Sequence, residues 1–175
     1  SSVTGCVNNG KIVLYDSDSA AEVAAGGIIG NASGVKGQVL TLSVNDCVNN
    51  GQIDRFNSGY SNKCNSFAGG IIGAIGRRHM TTIEGYVTVT VKDCRNTAQI
   101  IFNQFAGFDT FNETSTDISF TGGIVGLSNA DYGNVEIVCC ENSGDILSTS
   151  GQHGGIIGFM RAGTVVRGEK TADGI

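Results

Sequence analysis

Apolar and polar residues alternate along several stretches of the chain, which is the pattern of a strand with one buried face. Three stretches show it: 39–46, 86–93 and 134–138. In the second of them, Val87, Val89 and Val91 occupy every other position, and β-branched side chains of this kind favour strands. The last residue of each apolar series stands three positions before a cysteine, which is an odd offset. We therefore expect a bend between strand and cysteine that resets which side chains point inward.

Two short motifs recur along the chain and divide it into repeats. The first, Gly-Gly-Ile-Ile/Val-Gly, occurs four times, at 26–30, 69–73, 122–126 and 154–158. The second, Cys-x-Asn-x-Gly/Ala-x-Ile, begins at Cys6, Cys47, Cys94 and Cys140 and places asparagines at Asn8, Asn49, Asn96 and Asn142. Self-similarity at a period of this length is typical of stacked repeat architectures.

Each repeat supplies three short extended pieces: the alternating strand, the Asn-x-Gly-x-Ile piece and the Gly-Gly-Ile-Ile-Gly piece. They predict an all-β fold, a three-faced parallel β-helix (β-solenoid) of about four coils with long loops at its corners. The coils are predicted to start near residues 6, 47, 94 and 140, with a partial fifth coil from 169. Residues 1–175 are thus expected to form a single solenoid segment of a longer chain or stack. A propeller of β-hairpins is the alternative, but each Asn-Gly is followed by only a short apolar piece.

In a stack of coils, equivalent residues form columns. Neighbouring cysteines of the repeat would stand about 4.8 Å apart, which is compatible either with a buried column of thiols or with disulfides. Cys64 and Cys139 lie outside the repeat. The asparagines suit a corner, because asparagine tolerates the left-handed conformation and its amide can bond to the asparagine of the next coil. The paired glycines suit another corner, where neighbouring backbones crowd or φ is positive.

The two motifs resemble the GLUG-type repeats of large bacterial cell-surface and secreted proteins. In that family, Gly-Gly-Leu/Ile-Val/Ile-Gly, a short turn and an alternating strand precede Cys/Ser-x-Asn-x-Gly-x-Ile/Val. The resemblance covers nearly the whole chain outside its loops, which are unusually long here. It implies an extracellular, non-catalytic stalk or adhesive region. It transfers no catalytic residues and leaves the ligand open.

Charge and composition narrow the class of partner. A net charge of −5 argues against a nucleic-acid partner, which requires a concentrated basic face. No run approaches the roughly 20 apolar residues of a membrane-spanning helix. His79 and His153 are isolated, so no metal or other cofactor is predicted. The sequons at Asn31 and Asn112 are glycosylation candidates and fit a secreted protein, so we expect an extracellular or cell-surface location.

One long loop carries most of the phenylalanines. Five of the eight lie there: Phe102, Phe105, Phe108, Phe111 and Phe120. These rings either fold onto the flank of the solenoid as a satellite core or form an exposed apolar patch of the kind that marks a partner surface. Tyr60, Arg77 and Arg78 lie on the coil before. Together with Phe105, Phe108 and Phe111 they form the predicted binding edge, for a surface protein or glycan of a host or neighbouring cell.

Two other functions are alternatives to a structural or adhesive module. Parallel β-helices include enzymes that act on polysaccharides, and Asp109, Glu113 and Asp117 share the longest loop. These acids are spaced like ordinary solvated loop residues, so the hypothesis leans away from an enzyme. The other alternative is a subunit of an end-to-end filament, because exposed strand ends template further pairing.

The segment that opens with Asp16-Ser-Asp18 has two interpretations. It resembles the start of a calcium loop but lacks the glycine and the ligand count. The favoured prediction is a short helix that begins at Ser19, uses Glu22 in a capping box and ends at Gly26.

Overall fold

The computed structural model of the protein is built from short β-strands that stack in parallel. The structure describes residues 1–15, 22–35, 37–56, 65–76, 86–102, 119–129, 133–148, 151–161 and 163–168. Within these ranges the chain forms 21 strands and no helix. All the strand pairings between coils are parallel. The predicted parallel β-solenoid is therefore confirmed.

Strands at equivalent positions of successive coils form five sheets. The first contains the alternating strands β1 (Ser2–Thr4), β6 (Val39–Asn45), β11 (Tyr86–Lys92), β16 (Gly133–Val138) and β21 (Thr164–Arg167). The second contains β2 (Val7–Asn8), β7 (Val48–Asn49), β12 (Arg95–Asn96) and β17 (Glu141–Asn142). The third contains β3 (Ile12–Tyr15), β8 (Ile53–Phe56), β13 (Ile100–Phe102) and β18 (Ile146–Ser148). The fourth contains β4 (Glu22–Gly26), β9 (Asn65–Gly69), β14 (Ser119–Gly122) and β19 (Gln152–Gly154). The fifth contains β5 (Ile29–Ala32), β10 (Ile72–Ile75), β15 (Val125–Ser128) and β20 (Ile157–Met160).

A complete coil therefore contains five short strands where the motifs predict three extended pieces. The Asn-x-Gly turn divides the second piece into a strand at the asparagine and a strand at the isoleucine. In the first coil this turn is closed locally, because the Gly10 amide donates to Asn8 Oδ1 at 3.0 Å. A further strand precedes each pair of glycines and ends on its first glycine. The additional breaks change the number of strands but not the parallel stacking.

The bend expected before each cysteine is a single residue in the left-handed conformation. Asp46, Asp93 and Cys139 each have a φ of 52°, and Gly5, at the same position of the first coil, has a φ of 66°. Aspartate and glycine are among the residues that adopt this conformation at low cost. The bend places Val44 and Cys47, three positions apart, both at 0% exposure. The bend therefore allows two residues at an odd offset to point inward, as the sequence pattern requires.

The strands pair in register, so like residues lie over like residues. One column consists of Ile12, Ile53, Ile100 and Ile146. The largest hydrophobic cluster joins inward side chains of the first sheet, such as Val89 and Val91, to residues of the fifth, such as Ile72 and Val125. Ile71 and Ile124, which directly precede β10 and β15, belong to the same cluster. A second cluster consists of Ala25, Ile53, Ala68, Ile100 and Phe102. Among the described residues, the core thus extends along the axis of the stack.

A third hydrophobic cluster lies on the opposite face of the fourth sheet. Phe67 and Ala68 are neighbours on β9, so their side chains point to opposite faces, yet both are buried. The Phe67 ring stacks on Phe120 at 5.7 Å between centroids, and Phe120 stacks on Phe159 at 4.5 Å. Phe120 therefore belongs to a satellite core, whereas Phe102 lies in the second cluster.

The helix predicted from Ser19 to Gly26 is wrong for its described part. Glu22–Gly26 form β4, which pairs with β9 and places Ala24 beside Phe67 and Ala25 beside Ala68. A capping box contributes about 1 kcal/mol locally, and pairing with the next coil together with burial of Ala25 outweighs it. Residues 16–21, which include the alternative calcium loop, lie outside the described residues.

Candidate functional site

The four repeat asparagines form a continuous hydrogen-bonded column. The amide of Asn8 donates to Asn49 Oδ1, that of Asn49 to Asn96 Oδ1, and that of Asn96 to Asn142 Oδ1, each at 2.8 Å. The same nitrogen of Asn96 also donates to the Ala98 carbonyl at 2.9 Å, as Asn8 and Asn142 do to the carbonyls two residues on. Asn49 and Asn96 are fully buried. Because their polar atoms are paired within the column, burial does not leave these amides unsatisfied.

The paired glycines of the repeat enclose this column. A Cβ built on Gly70 would lie 2.5 Å from Asn96 Cγ and 2.1 Å from the carbonyl oxygen of Gly123. Gly27 and Gly123 have the same relation to the asparagines at 49 and 142. None of these glycines has a positive φ. The motif therefore requires glycine because neighbouring backbones crowd, and the alternative reason, a left-handed conformation, does not apply.

A second ladder runs along the outer surface next to the buried one. Asn50 Nδ2 donates to Asn9 Oδ1 at 3.0 Å, and Thr97 Oγ1 donates to Asn50 Oδ1 at 2.7 Å. The three side chains are exposed. The outer ladder is exposed and includes a threonine, whereas the inner one consists of asparagines alone and is fully buried at Asn49 and Asn96, so comparing variants of the two tests the effect of burial.

The repeat cysteines also stand in a column, and no disulfide joins the cysteines that the structure describes. Each inner thiol contacts two carbonyl oxygens, one two residues earlier and one in the preceding coil. Cys94 Sγ lies 3.3 Å from the Lys92 oxygen and 3.5 Å from that of Val44. Cys140 has the corresponding contacts at 3.4 and 3.5 Å. Exposure falls along this column from Cys6, which is exposed, to the buried Cys47 and Cys94, and rises again at Cys140.

We expect the free energy of unfolding to fall as the pH rises above about 9. Burial raises the pKa of the Cys47 thiol above its ordinary value. The hydrogen bond between Cys94 and Cys140 raises the pKa of Cys94 and lowers that of Cys140, so these two contributions oppose each other and the expectation depends on Cys47. A thiol whose pKa is higher in the folded state stabilises that state while it stays protonated, so the contribution is complete below the unfolded pKa. It is lost as the pH rises toward the folded pKa, because the unfolded chain ionises first.

Urea denaturation between pH 7 and 10.5, in the presence of a reductant, measures this dependence. Lysines and tyrosines also titrate there, so the informative quantity is the slope relative to variants. Cys47→Ala should flatten the decline, whereas Cys6→Ala, which removes an exposed thiol, should leave it unchanged. Equal slopes in the three proteins would contradict a contribution from the buried thiol.

The residues of the predicted binding edge lie outside the described part of the chain. They are Tyr60, Arg77, Arg78, Phe105, Phe108 and Phe111, and the sequon at Asn112 lies there too. The other sequon is described: Asn31 lies on β5 with its side chain exposed. The structure thus describes the scaffold from which the binding edge departs.

Arg55 connects the two ends of the longest insertion. The longest insertion, residues 103–118, lies in sequence between Phe102, the last residue of β13, and Ser119, the first residue of β14. The Arg55 guanidinium carbon lies 5.5 Å from the centroid of the Phe102 ring, and Nη1 donates to Ser119 Oγ at 3.2 Å. Arg55 is only 4% exposed. Cation–π and hydrogen-bond contacts from a buried arginine hold both ends of the insertion against the coil before it.

The sequence contains a signal for Arg55 that motif analysis overlooks. Ile53 points inward, so by alternation Asp54 points outward and Arg55 inward. The equivalent inward positions are Leu14 in the first coil and Phe102 in the third. A cation at a position that is apolar in both neighbouring coils indicates a buried polar contact.

Neither a metal site nor a membrane-spanning helix is found among the described residues. No group of three or more His, Cys, Asp or Glu side chains in this part of the chain is arranged to hold a metal ion. The described residues also contain no helix with the length and apolar character of a membrane span.

No protein-family model matches the chain, and searches of curated proteins and of solved structures find no match. The resemblance to GLUG-type repeats therefore depends on the two sequence motifs. The stacked columns show what those motifs do physically: the asparagine bonds to its counterpart in the next coil, and the glycines make room for it.

Proposed function

We propose that the protein is a non-catalytic, extracellular structural or adhesive β-solenoid module that presents its inserted loops for contact with a surface protein or glycan. The observation that carries the proposal is the link made by Arg55 to both ends of the 103–118 insertion. A connection that merely crosses this corner of the stack does not need a buried arginine to hold its two ends. The fourth coil makes the same connection between Ser148 and Gln152 with residues 149–151 alone.

The columns supply the second requirement of a presenting scaffold, which is a fixed spacing between insertions. Strands β8, β13 and β18 end at the same corner, and β9, β14 and β19 resume the coil from it. Each coil is hydrogen-bonded to its neighbours at a rise of about 4.8 Å. The points at which the insertions join this corner are therefore held at fixed intervals along the stack, which suits a ligand that spans more than one loop.

The composition of the insertions supports contact with a partner. Phe105, Phe108 and Phe111 recur at intervals of three in a single insertion, and Tyr60, Arg77 and Arg78 lie in the insertions of the coil before. Aromatic and arginine side chains are enriched where proteins bind partners. The resemblance to GLUG-type repeats adds the extracellular location and the adhesive role to the proposal.

Binding to an array of cell-surface glycans and matrix proteins tests the proposal. The informative variant changes Phe105, Phe108 and Phe111 to serine. A matched control changes Val13 and Leu147, exposed apolar residues on strands β3 and β18, to serine. We expect the loop variant to lose affinity for any captured ligand at least about tenfold, as removal of aromatic anchors does, while the control binds normally. Equal binding by both variants, or turnover of a polysaccharide by the wild-type protein, would refute the proposal.

Deletion of residues 105–114 should leave the solenoid folded. Six residues would remain to connect Phe102 with Ser119, which exceeds the three that serve the fourth coil. Shortening the loop changes its closure free energy by only about 0.9 kcal/mol, because the closure entropy varies with the logarithm of length. Circular dichroism should show an unchanged β signal and a cooperative melt within a few degrees of wild type. A non-cooperative melt would mean that the insertion belongs to the core.

A further inference from the structure

The cysteine column has the geometry for covalent cross-links between coils. Each cysteine follows the same bend and precedes strands that pair in register, Val7 with Val48, Val48 with Arg95, and Arg95 with Glu141. Neighbouring Cα atoms are therefore about 4.8 Å apart, within the range of disulfides. The sulfurs also contact the preceding coil. Cys94 Sγ lies 3.5 Å from the Val44 oxygen, and Cys140 Sγ lies 3.5 Å from the Val91 oxygen.

Exposure decides which neighbours react. Thiol–disulfide exchange starts at a thiol that the reagent can reach. Cys6 is exposed and Cys140 is half-buried, whereas Cys47 and Cys94 are 0% and 1% exposed. The two inner cysteines can therefore act only in the second step, against a neighbour that has already reacted. A bond between Cys47 and Cys94 would require a reagent to reach one of them first.

We propose that the column is a cross-linking site in which a small-molecule disulfide such as oxidised glutathione joins Cys6 to Cys47 and Cys94 to Cys140. In the first step, the Cys6 thiolate attacks the small disulfide, forms a mixed disulfide and releases one glutathione thiolate. In the second step, the Cys47 thiolate attacks the Cys6 sulfur, which forms the protein disulfide and releases the second glutathione. The two protein thiols are oxidised, the small disulfide is reduced to two thiols, and the protons pass to the released thiolates.

The same two steps at Cys140 and Cys94 use the rest of the column. Two bonds among four stacked cysteines leave no thiol over, and each bond joins adjacent coils. The first closes a span of 41 residues and the second a span of 46. Cross-links across spans of this length restrict the unfolded chain, so they would stabilise the stack coil pair by coil pair.

Tryptic digestion without reduction separates the possible pairings. The natural cleavage sites place Cys6 in peptide 1–11, Cys47 in 37–55 and Cys94 in 93–95. Peptide 96–161 contains both Cys139 and Cys140, and Cys64 falls in its own peptide. Cys139→Asp removes the ambiguity, because aspartate occupies this left-handed position in the two preceding coils.

The experiment exposes wild type and Cys139→Asp to oxidised glutathione under native conditions, blocks remaining thiols with N-ethylmaleimide and analyses the peptides by mass spectrometry. We expect 1–11 linked to 37–55 and 93–95 linked to 96–161, in both proteins. Cys6→Ser should leave Cys47 alkylated and should not affect the second link. A link between 37–55 and 93–95, stable glutathione adducts at Cys6 and Cys140 without cross-links, or four alkylated thiols in wild type would each overturn the proposal.

Discussion

Gly70→Ala should unfold the solenoid or lower its free energy of unfolding by about 4 kcal/mol or more. The new Cβ would lie 2.1 Å from the Gly123 oxygen and 2.5 Å from Asn96 Cγ, distances that no relaxed structure contains. The Gly123 oxygen is part of the backbone of the next coil. Asn96 is held by two 2.8 Å hydrogen bonds, one that it accepts from Asn49 and one that it donates to Asn142. Relief of the clash therefore requires adjacent coils to separate, which breaks both the backbone hydrogen bonds between the coils and the asparagine column.

The fourth coil offers a matched control for this substitution. Gly155 is the second glycine of the same motif, but a Cβ on it meets nothing within 4 Å. Neither glycine has a positive φ, so alanine brings no backbone strain at either site. Gly155→Ala should change stability by less than about 1 kcal/mol. Urea denaturation followed by circular dichroism compares the two, and equal losses would show that crowding against the asparagine column is not the reason for the glycine.

Asn96→Leu should lower the free energy of unfolding by about 3 kcal/mol or more, although leucine has nearly the same size. The change removes the acceptor for Asn49, the donor for Asn142 and the donor for the Ala98 carbonyl. Asn96 is 0% exposed, so water cannot replace these partners. Each buried polar group left unpaired costs about 1–3 kcal/mol.

The exposed ladder supplies the comparison for the buried one. Asn50 also accepts from one coil and donates to another, at 2.7 and 3.0 Å. It is exposed, so water can take the place of its lost partners, and Asn50→Ala should cost less than about 1 kcal/mol. Thermal and urea melts of the two variants measure the difference. A similar loss in both would mean that burial does not set the strength of the asparagine column.

Much of the fold can be predicted from the alternation of inward and outward side chains and from the repeated motifs. The odd offset between Val91 and Cys94 predicts a bend, and the structure places the left-handed Asp93 there. The recurrence of the asparagines predicts their stacking, because identical residues at one period can face one another only if the coils are in register. Stacking of this kind depends on local geometry and repetition, and both are visible in the sequence.

Other features depend on contacts between distant residues, and the sequence shows them poorly. Ser19 and Glu22 form a local helix signal, but β4 is decided by its pairing with β9, 43 residues further along the chain. The link from Arg55 to Ser119 spans 64 residues and includes no motif. The division of each coil into five strands depends on turn hydrogen bonds such as that between Gly10 and Asn8. The predicted binding edge lies in insertions that do not share the repeat, so periodicity carries no information about it.

The asparagine column gives the rod a chemical direction. Asn8, Asn49 and Asn96 each donate toward the coil that follows, and Asn49, Asn96 and Asn142 each accept from the coil before. The side-chain dipoles therefore add along the axis, as peptide dipoles do in a helix. An added coil, natural or engineered, can continue the series only in the same orientation, since an inverted one would set two donors or two acceptors against each other.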